Sequence, residues 1–181
     1  MGLKSNRLKR INAVLNPYNG AVHYMMRSRI TVPSIIAFYE ELTEKYPNQT
    51  IYMIQDNWPV HYHPNVVAAL EPQKWEKWFN VPPSWKDIKV KERYKKLKLS
   101  IQLVPLPTYS PWLNTIEKLG LALNKDIIHH HSYTDQFQKL TENIQHFLDQ
   151  YKKGSEQLLK FVGLKCENGI YQKTINKQKI K

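Results

Sequence analysis

The 181 residues suffice for one domain with a real core, and 27 lysines and arginines against 15 acids leave a formal net charge of +12. That excess favours an anionic partner, nucleic acid first. A single cysteine, Cys166, excludes an internal disulfide, no apolar run reaches the length of a membrane span and no signal peptide opens the chain, so a cytoplasmic, nucleoid-associated protein in a reducing compartment is expected.

The charge is uneven. Residues 1–30 hold six basic residues and no acid, residues 74–98 nine basic against three acidic, and residues 165–181 five against one. A solvated lysine surface would give the same totals, so charge alone does not identify the partner.

In chain order, residues 1–7 form a polar, basic end expected to fray. Residues 8–15 suit a strand, Asn16-Pro17-Tyr18-Asn19-Gly20 is a strong turn signal, and residues 21–26 return as the hairpin partner. Residues 31–46 read as an amphipathic helix. Thr31 can cap it, Pro33 is tolerated in its first turn, and Ile35, Phe38, Tyr39, Leu42 and Tyr46 recur on the face turned to the sheet. Glu40, Glu41 and Glu44 fall mostly on the solvated side, and Pro47-Asn48 ends the helix.

Ile51, Tyr52, Met53 and Ile54 form a brief apolar run with β-branched and aromatic members. It predicts a buried strand in the middle of a parallel sheet. At its carboxyl end, where open α/β sheets carry ligands and catalytic groups, stand Asp56 and Asn57, followed by Trp58, Pro59, His61 and His63. A short helix is expected over 65–70. Residues 71–100 then leave ordinary sheet–helix alternation, with Trp75, Trp78, Phe79, Trp85 and Tyr94 set among lysines. One reading is a DNA-contacting insertion, with Lys89, Lys91, Arg93, Lys95, Lys96 and Lys98 on phosphates and the aromatics stacking on bases. The other is a small helical flap whose tryptophans merely pack.

Ile101, Leu103, Val104 and Leu106 predict a second strand. Pro105, Pro107 and Pro111 force an extended passage, and residues 114–117 open a helix, a route that can bring Glu117 back toward Asp56. The last third is helical, with stripes at Ile116, Leu119, Leu123 and Ile127, and at Phe137, Leu140, Ile144, Phe147, Leu148 and Tyr151. His129-His130-His131 reads as a loop between helices, because three adjacent histidines diverge and lack spaced partners. Residues 165–181 lack periodicity and read as a loose basic tail.

QDNWPVH (residues 55–61) followed by LPTYSPWLNTIEKL (residues 106–119) resembles the second and third acidic motifs of Tc1/mariner-like transposases of the bacterial IS630 type. Those motifs usually read D-N-x-P-x-H and L-P-P-Y-S-P-x-L-N-P-I-E. The chain keeps Asp56, Asn57, Pro59 and His61, then Leu106, Pro107, Tyr109, Ser110, Pro111, Leu113, Asn114, Ile116 and Glu117. The likeness covers most of residues 8–150. It departs where no Asp precedes Asp56, where Gly120 stands in place of a frequent Trp, and where the interval between the two acids is expanded.

The resemblance implies an α/β, RNase H-like mixed sheet flanked by helices, without its first strand and with a helical C-terminal region. A partial DDE domain would span 1–164, with a basic aromatic insertion at about 71–100 and a tail at 165–181. Asp56 and Glu117 would be catalytic ligands to Mg²⁺ or Mn²⁺, with Asn57 and His61 orienting carboxylates or phosphates. Partners would be transposon-end and target DNA, an upstream transposase fragment carrying the first Asp, and a second copy in a homodimer, with no membrane. The expected function is metal-dependent DNA cleavage and strand transfer, inactive in this chain alone. The alternative is a non-catalytic DNA-binding remnant.

Each site residue also has a plainer reading. Asp56-Asn57 could be a turn after a strand, Asn114-x-x-Glu117 a capping box, and His61 a hydrogen-bonded structural histidine.

Overall fold

A computed structural model describes residues 8–74, 81–108, 113–129 and 136–165. The chain divides into two compact units, residues 1–26 with 115–181, and residues 27–114. Among the described residues no helix is long and apolar enough to cross a membrane.

In the first unit, β1 (Arg10–Leu15) and β2 (Val22–Arg27) pair as a two-stranded sheet. So short a connection permits only an antiparallel hairpin. The turn forms where Asn and Gly demand it. Asn16 Oδ1 accepts the Tyr18 N–H and Asn19 Oδ1 the Ala21 N–H, both at 2.9 Å, and Gly20 adopts φ +73°. Helix α4 (Ile116–Leu123) continues as a π-helical turn (Asn124–Ile128), followed by α5 (Phe137–Asp149) and α6 (Glu156–Val162).

The predicted stripes supply the core. Leu119 and Leu123 from α4, and Ile144, Phe147 and Leu148 from α5, bury with Val22, Leu158 and Val162. Each such side chain contributes about 1.5–3 kcal/mol by leaving water. Ser155 caps α6 by accepting the Leu158 N–H, and Gly163 closes it at φ +83°. Lys118 Nζ donates to the Val162 carbonyl at the end of α6, 3.1 Å away. His129 is exposed at the end of the π-helical turn. His130, His131, Cys166 and the rest of the tail lie outside the described residues.

The second unit is built on α1 (Val32–Lys45) and a parallel pair, β3 (Ile51–Gln55) with β4 (Ile101–Pro105), in register from Ile51 opposite Ile101 to Gln55 opposite Pro105. Thr31 and Ser34 cap α1 reciprocally, and Ile35, Ile36, Phe38, Tyr39 and Leu42 are its buried face. Asn48, at φ +59°, turns the chain toward β3. Between the strands lie a 3₁₀ turn (Pro59–Tyr62), α2 (Pro64–Ala69), a second 3₁₀ turn (Pro83–Trp85) and the single-turn α3 (Glu92–Lys95).

Strand β3 differs from the expected buried strand in mid-sheet in two respects. It is parallel to its neighbour, but Met53 and Gln55 are buried while Tyr52 and Ile54 are 56% and 61% exposed. An apolar run does not distinguish a strand covered on both faces from one covered on a single face. Among the described residues β3 pairs only with β4, so its far edge, where the Tyr52 and Ile54 backbones point, has no strand beside it.

The outer edge of β4 is closed differently. The Gln73 amide donates to the Ile101 carbonyl at 3.1 Å and accepts the Leu103 N–H at 2.8 Å, doing what a neighbouring strand would do. Gln102 completes the seal. It donates to the Pro72 carbonyl and accepts the Lys74 N–H.

Candidate functional site

Asp56 follows β3 directly. Its side chain is 60% exposed, and its Oδ1 accepts the Trp58 N–H at 3.0 Å, an Asx turn that fixes the carboxylate on the strand end. The plainer reading of Asp56 as a turn residue is therefore correct in part. It consumes one oxygen, and no hydrogen bond engages Oδ2 within the described residues. Asn57 is committed to architecture, since its amide donates to the Leu106 carbonyl at 2.9 Å and ties the end of β3 to the end of β4.

Behind Asp56 lies His61, only 7% exposed, with Nε2 3.7 Å from Asp56 Oδ1. Trp58 packs edge-on to its ring at 5.4 Å. Burial holds the imidazole below its usual pKa, and the Asp56 charge opposes that shift only in part. Two further buried groups meet His61. The Tyr39 hydroxyl on α1 stands 3.4 Å from Nδ1 and 3.0 Å from Gln55 Oε1, and burial, first of all, pushes that phenol far above its ordinary pKa. Neither Tyr39 nor Gln55 was a candidate by motif. Their separations of 22 and 6 residues from His61 leave no local signal.

Glu117 is exposed in the first turn of α4. The helix is capped at Thr115, which makes no side-chain capping bond, so Glu117 stands at its second position rather than the third that a capping box from Asn114 requires. Asp56 and Glu117 are each carboxylates, the hard oxygen donors that Mg²⁺ takes, and among the described residues one Asp56 oxygen accepts no hydrogen bond. The donor chemistry thus fits a divalent cation. Among the described residues no group of three or more His, Cys, Asp or Glu side chains is arranged as a metal cluster.

Lys89, Lys91, Arg93, Lys95, Lys96 and Lys98 are all exposed. The segment carrying them is anchored from beneath. Buried Asn65 on α2 accepts the Lys91 N–H at 2.9 Å, and Tyr94 is buried. The Arg93 guanidinium lies over the Tyr94 ring at 4.6 Å, and Lys95 pairs with Glu92 at 2.7 Å. Trp85 is half-buried and sits 4.7 Å from the His63 ring. For Trp85 and Tyr94 packing is the observed role, so they are not free platforms for bases; Trp75, Trp78 and Phe79 lie outside the described residues.

Residues 4–140 match a family model described as DDE superfamily endonuclease. No curated protein and no solved structure matches the chain.

Proposed function

We propose that this chain, which belongs to the DDE superfamily of endonucleases, supplies two acids of a transposase of the IS630-type branch of the Tc1/mariner-like group. Members of this family act on DNA and generally use divalent metals. The observation that carries the reading is Asp56, an exposed carboxylate pinned at the carboxyl end of a parallel strand with buried His61 behind it.

Asp56 and Glu117 would hold Mg²⁺ or Mn²⁺. When bound, such ions make an oxygen nucleophile reactive and stabilise the leaving oxyanion. The chain's own residues do the remaining work. The Trp58 amide and His61 orient the Asp56 carboxylate, Asn57 keeps the two strand ends together, and the lysines of residues 89–98 neutralise phosphates along the duplex. By resemblance the attacking group is water in end cleavage and a DNA 3′-hydroxyl in strand transfer.

Residues 1–55 contain no Asp, so the first acid of the family's set comes from outside these 181 residues. The sheet edges support that reading. Gln73 closes the outer edge of β4, while among the described residues no strand lies on the far edge of β3. In the family's sheet the strand bearing the first Asp lies beside the strand bearing the second. A segment adding there would satisfy the backbone and complete the acids together.

The chain alone should therefore not nick transposon-end DNA in Mg²⁺. Nicking by the isolated chain above the Asp56→Asn background would contradict the proposal. Replacing Lys89, Lys91, Lys95 and Lys96 with Gln should weaken duplex binding and reduce the slope of log affinity against log salt by about 0.9 for each phosphate no longer neutralised. Anisotropy titrations across salt concentrations measure this, and an unchanged slope would remove the segment from the interface. A DNA-binding remnant without chemistry would keep the salt effect but gain no activity when the missing strand is supplied.

A further inference from the structure

Tyr39, Gln55 and His61 are 1%, 7% and 7% exposed and converge directly behind Asp56. The Tyr39 hydroxyl has one proton and two acceptors in reach, Gln55 Oε1 at 3.0 Å and His61 Nδ1 at 3.4 Å. Gln55 Nε2 is buried without a hydrogen bond of full geometry, and the Gln55 amide also acts on the Tyr62 hydroxyl, whose pKa burial raises more than the amide draws it down.

Two arrangements of the protons are available. In the first, Tyr39 donates to Gln55, so a neutral His61 must donate from Nδ1 to the phenol oxygen. Its Nε2 lone pair then faces the Asp56 carboxylate, and the Gln55 amide nitrogen keeps no hydrogen bond of full geometry. In the second, the Gln55 amide is turned over, which costs nothing in shape because its oxygen and nitrogen are near-identical in size. Gln55 then donates to Tyr39, Tyr39 donates to His61 Nδ1, and His61 carries its proton on Nε2, toward Asp56 Oδ1 at 3.7 Å. This order turns a donor toward the carboxylate and gives one of the two Gln55 N–H groups an acceptor in the Tyr39 oxygen, where the first arrangement sets the Gln55 oxygen there instead.

We propose that Tyr39 and Gln55 are positioning residues for Asp56, fixing His61 as its Nε2–H tautomer so that Asp56 Oδ1 is held and Oδ2 stays available. Burial disfavours the charged imidazole, and the device concerns which nitrogen of the neutral ring carries the proton. The Trp58 N–H bonds Oδ1 at 3.0 Å, and the His61 Nε2–H faces the same oxygen from 3.7 Å, a polar contact longer than a hydrogen bond. A metal-ligating carboxylate held this way presents its other oxygen in one orientation. The functional meaning rests on the proposed role of Asp56; the tautomer does not.

Long-range ¹H–¹⁵N correlation spectra of the full chain, labelled on histidine nitrogen and recorded well above the imidazole pKa, decide the tautomer. The expected result is His61 Nδ1 at the shift of an unprotonated nitrogen and Nε2 at that of a protonated one. The reverse assignment in the unmodified chain overturns the proposal without any variant. Tyr39→Phe, which keeps the ring in the core, should move His61 to a mixture of tautomers. Gln55→Leu should do so more weakly, by removing the donor that orients the phenol. A Tyr39→Phe protein that folds and keeps the original tautomer also overturns it.

In a complex completed with the missing strand, Tyr39→Phe should lower kcat about tenfold while leaving KM for DNA unchanged. A loss confined to KM would reject the positioning role. Failure of the catalytic reading looks different, since full activity of Asp56→Asn in the same complex would remove the function of Asp56 and leave the tautomer as measured.

Discussion

In a complex completed with the first strand and acid proposed above, Asp56→Asn should abolish strand transfer, with a loss of about 10³-fold or more. A metal-ligating carboxylate contributes several kcal/mol of transition-state charge stabilisation, and each ~1.4 kcal/mol is a factor of ten in rate. The substitution is informative because it spares the architecture. Asparagine keeps an Oδ1 that can accept the Trp58 N–H and face His61, so the Asx turn survives. The side chain is 60% exposed, so stability should change by no more than about 0.5 kcal/mol. Duplex affinity should hold or rise slightly, because one negative charge leaves the neighbourhood of the phosphates. Single-turnover strand transfer, thermal melting and anisotropy on the same preparation separate these effects. Full activity would end the catalytic interpretation, whereas joint loss of activity, melting temperature and binding would mean the strand end had been disrupted.

What the letters revealed, and what they hid, follows from the range of the interactions. The hairpin was legible because Asn16, Asn19 and Gly20 act on their own backbone within a few residues. Helix α1 was legible because its capping residue and its apolar period are also local, although the reciprocal part played by Ser34 was not anticipated. The parallel pairing of β3 and β4 was implied by two apolar runs with a long crossover between them, but the exposure of Tyr52 and Ile54 was not. Whether a strand face is covered depends on what else is present, and the run reads alike in either case.

The least visible features are side chains acting at long range. Gln73 replaces a strand along β4 through bonds to residues 28 and 30 positions away. Asn65 secures the basic segment through a residue 26 positions on, and Tyr39 reaches His61 across 22. In composition these are ordinary polar residues. They gain meaning because a buried polar group has to find a partner, and the fold decides which one. The acidic motifs were visible for the opposite reason, since each is a contiguous string in which a strand end or helix start presents one acid.

Gly20→Ala should be the most damaging small substitution in the first unit, costing about 3 kcal/mol or more, with a melting temperature lower by about 10 °C. Two effects add. Gly20 has φ +73°, where an L side chain costs roughly 1–2 kcal/mol. Its added Cβ would also stand 2.2 Å from the Ser155 carbonyl oxygen, a backbone atom that cannot swing away. The contact is reciprocal, because a Cβ on Gly154, at φ +101°, would meet the Asn19 carbonyl oxygen at 2.5 Å. The two glycines let the hairpin turn and the turn before α6 approach closely enough for Ser155 N–H to donate to Asn19 O at 2.9 Å and Val22 N–H to Tyr151 O at 3.0 Å. Forcing the turns apart breaks these bonds and lifts Val22 from the core formed with Leu148 and Leu158. Gly120 is the internal control. It lies in α4 with nothing within 4 Å of an added Cβ, so Gly120→Ala should stabilise the helix by up to about 1 kcal/mol through propensity alone. Thermal melts of the three proteins test the pair of predictions. Equal melting temperatures for Gly20→Ala and the unmodified chain would mean that the two turns do not interlock as their backbone bonds indicate.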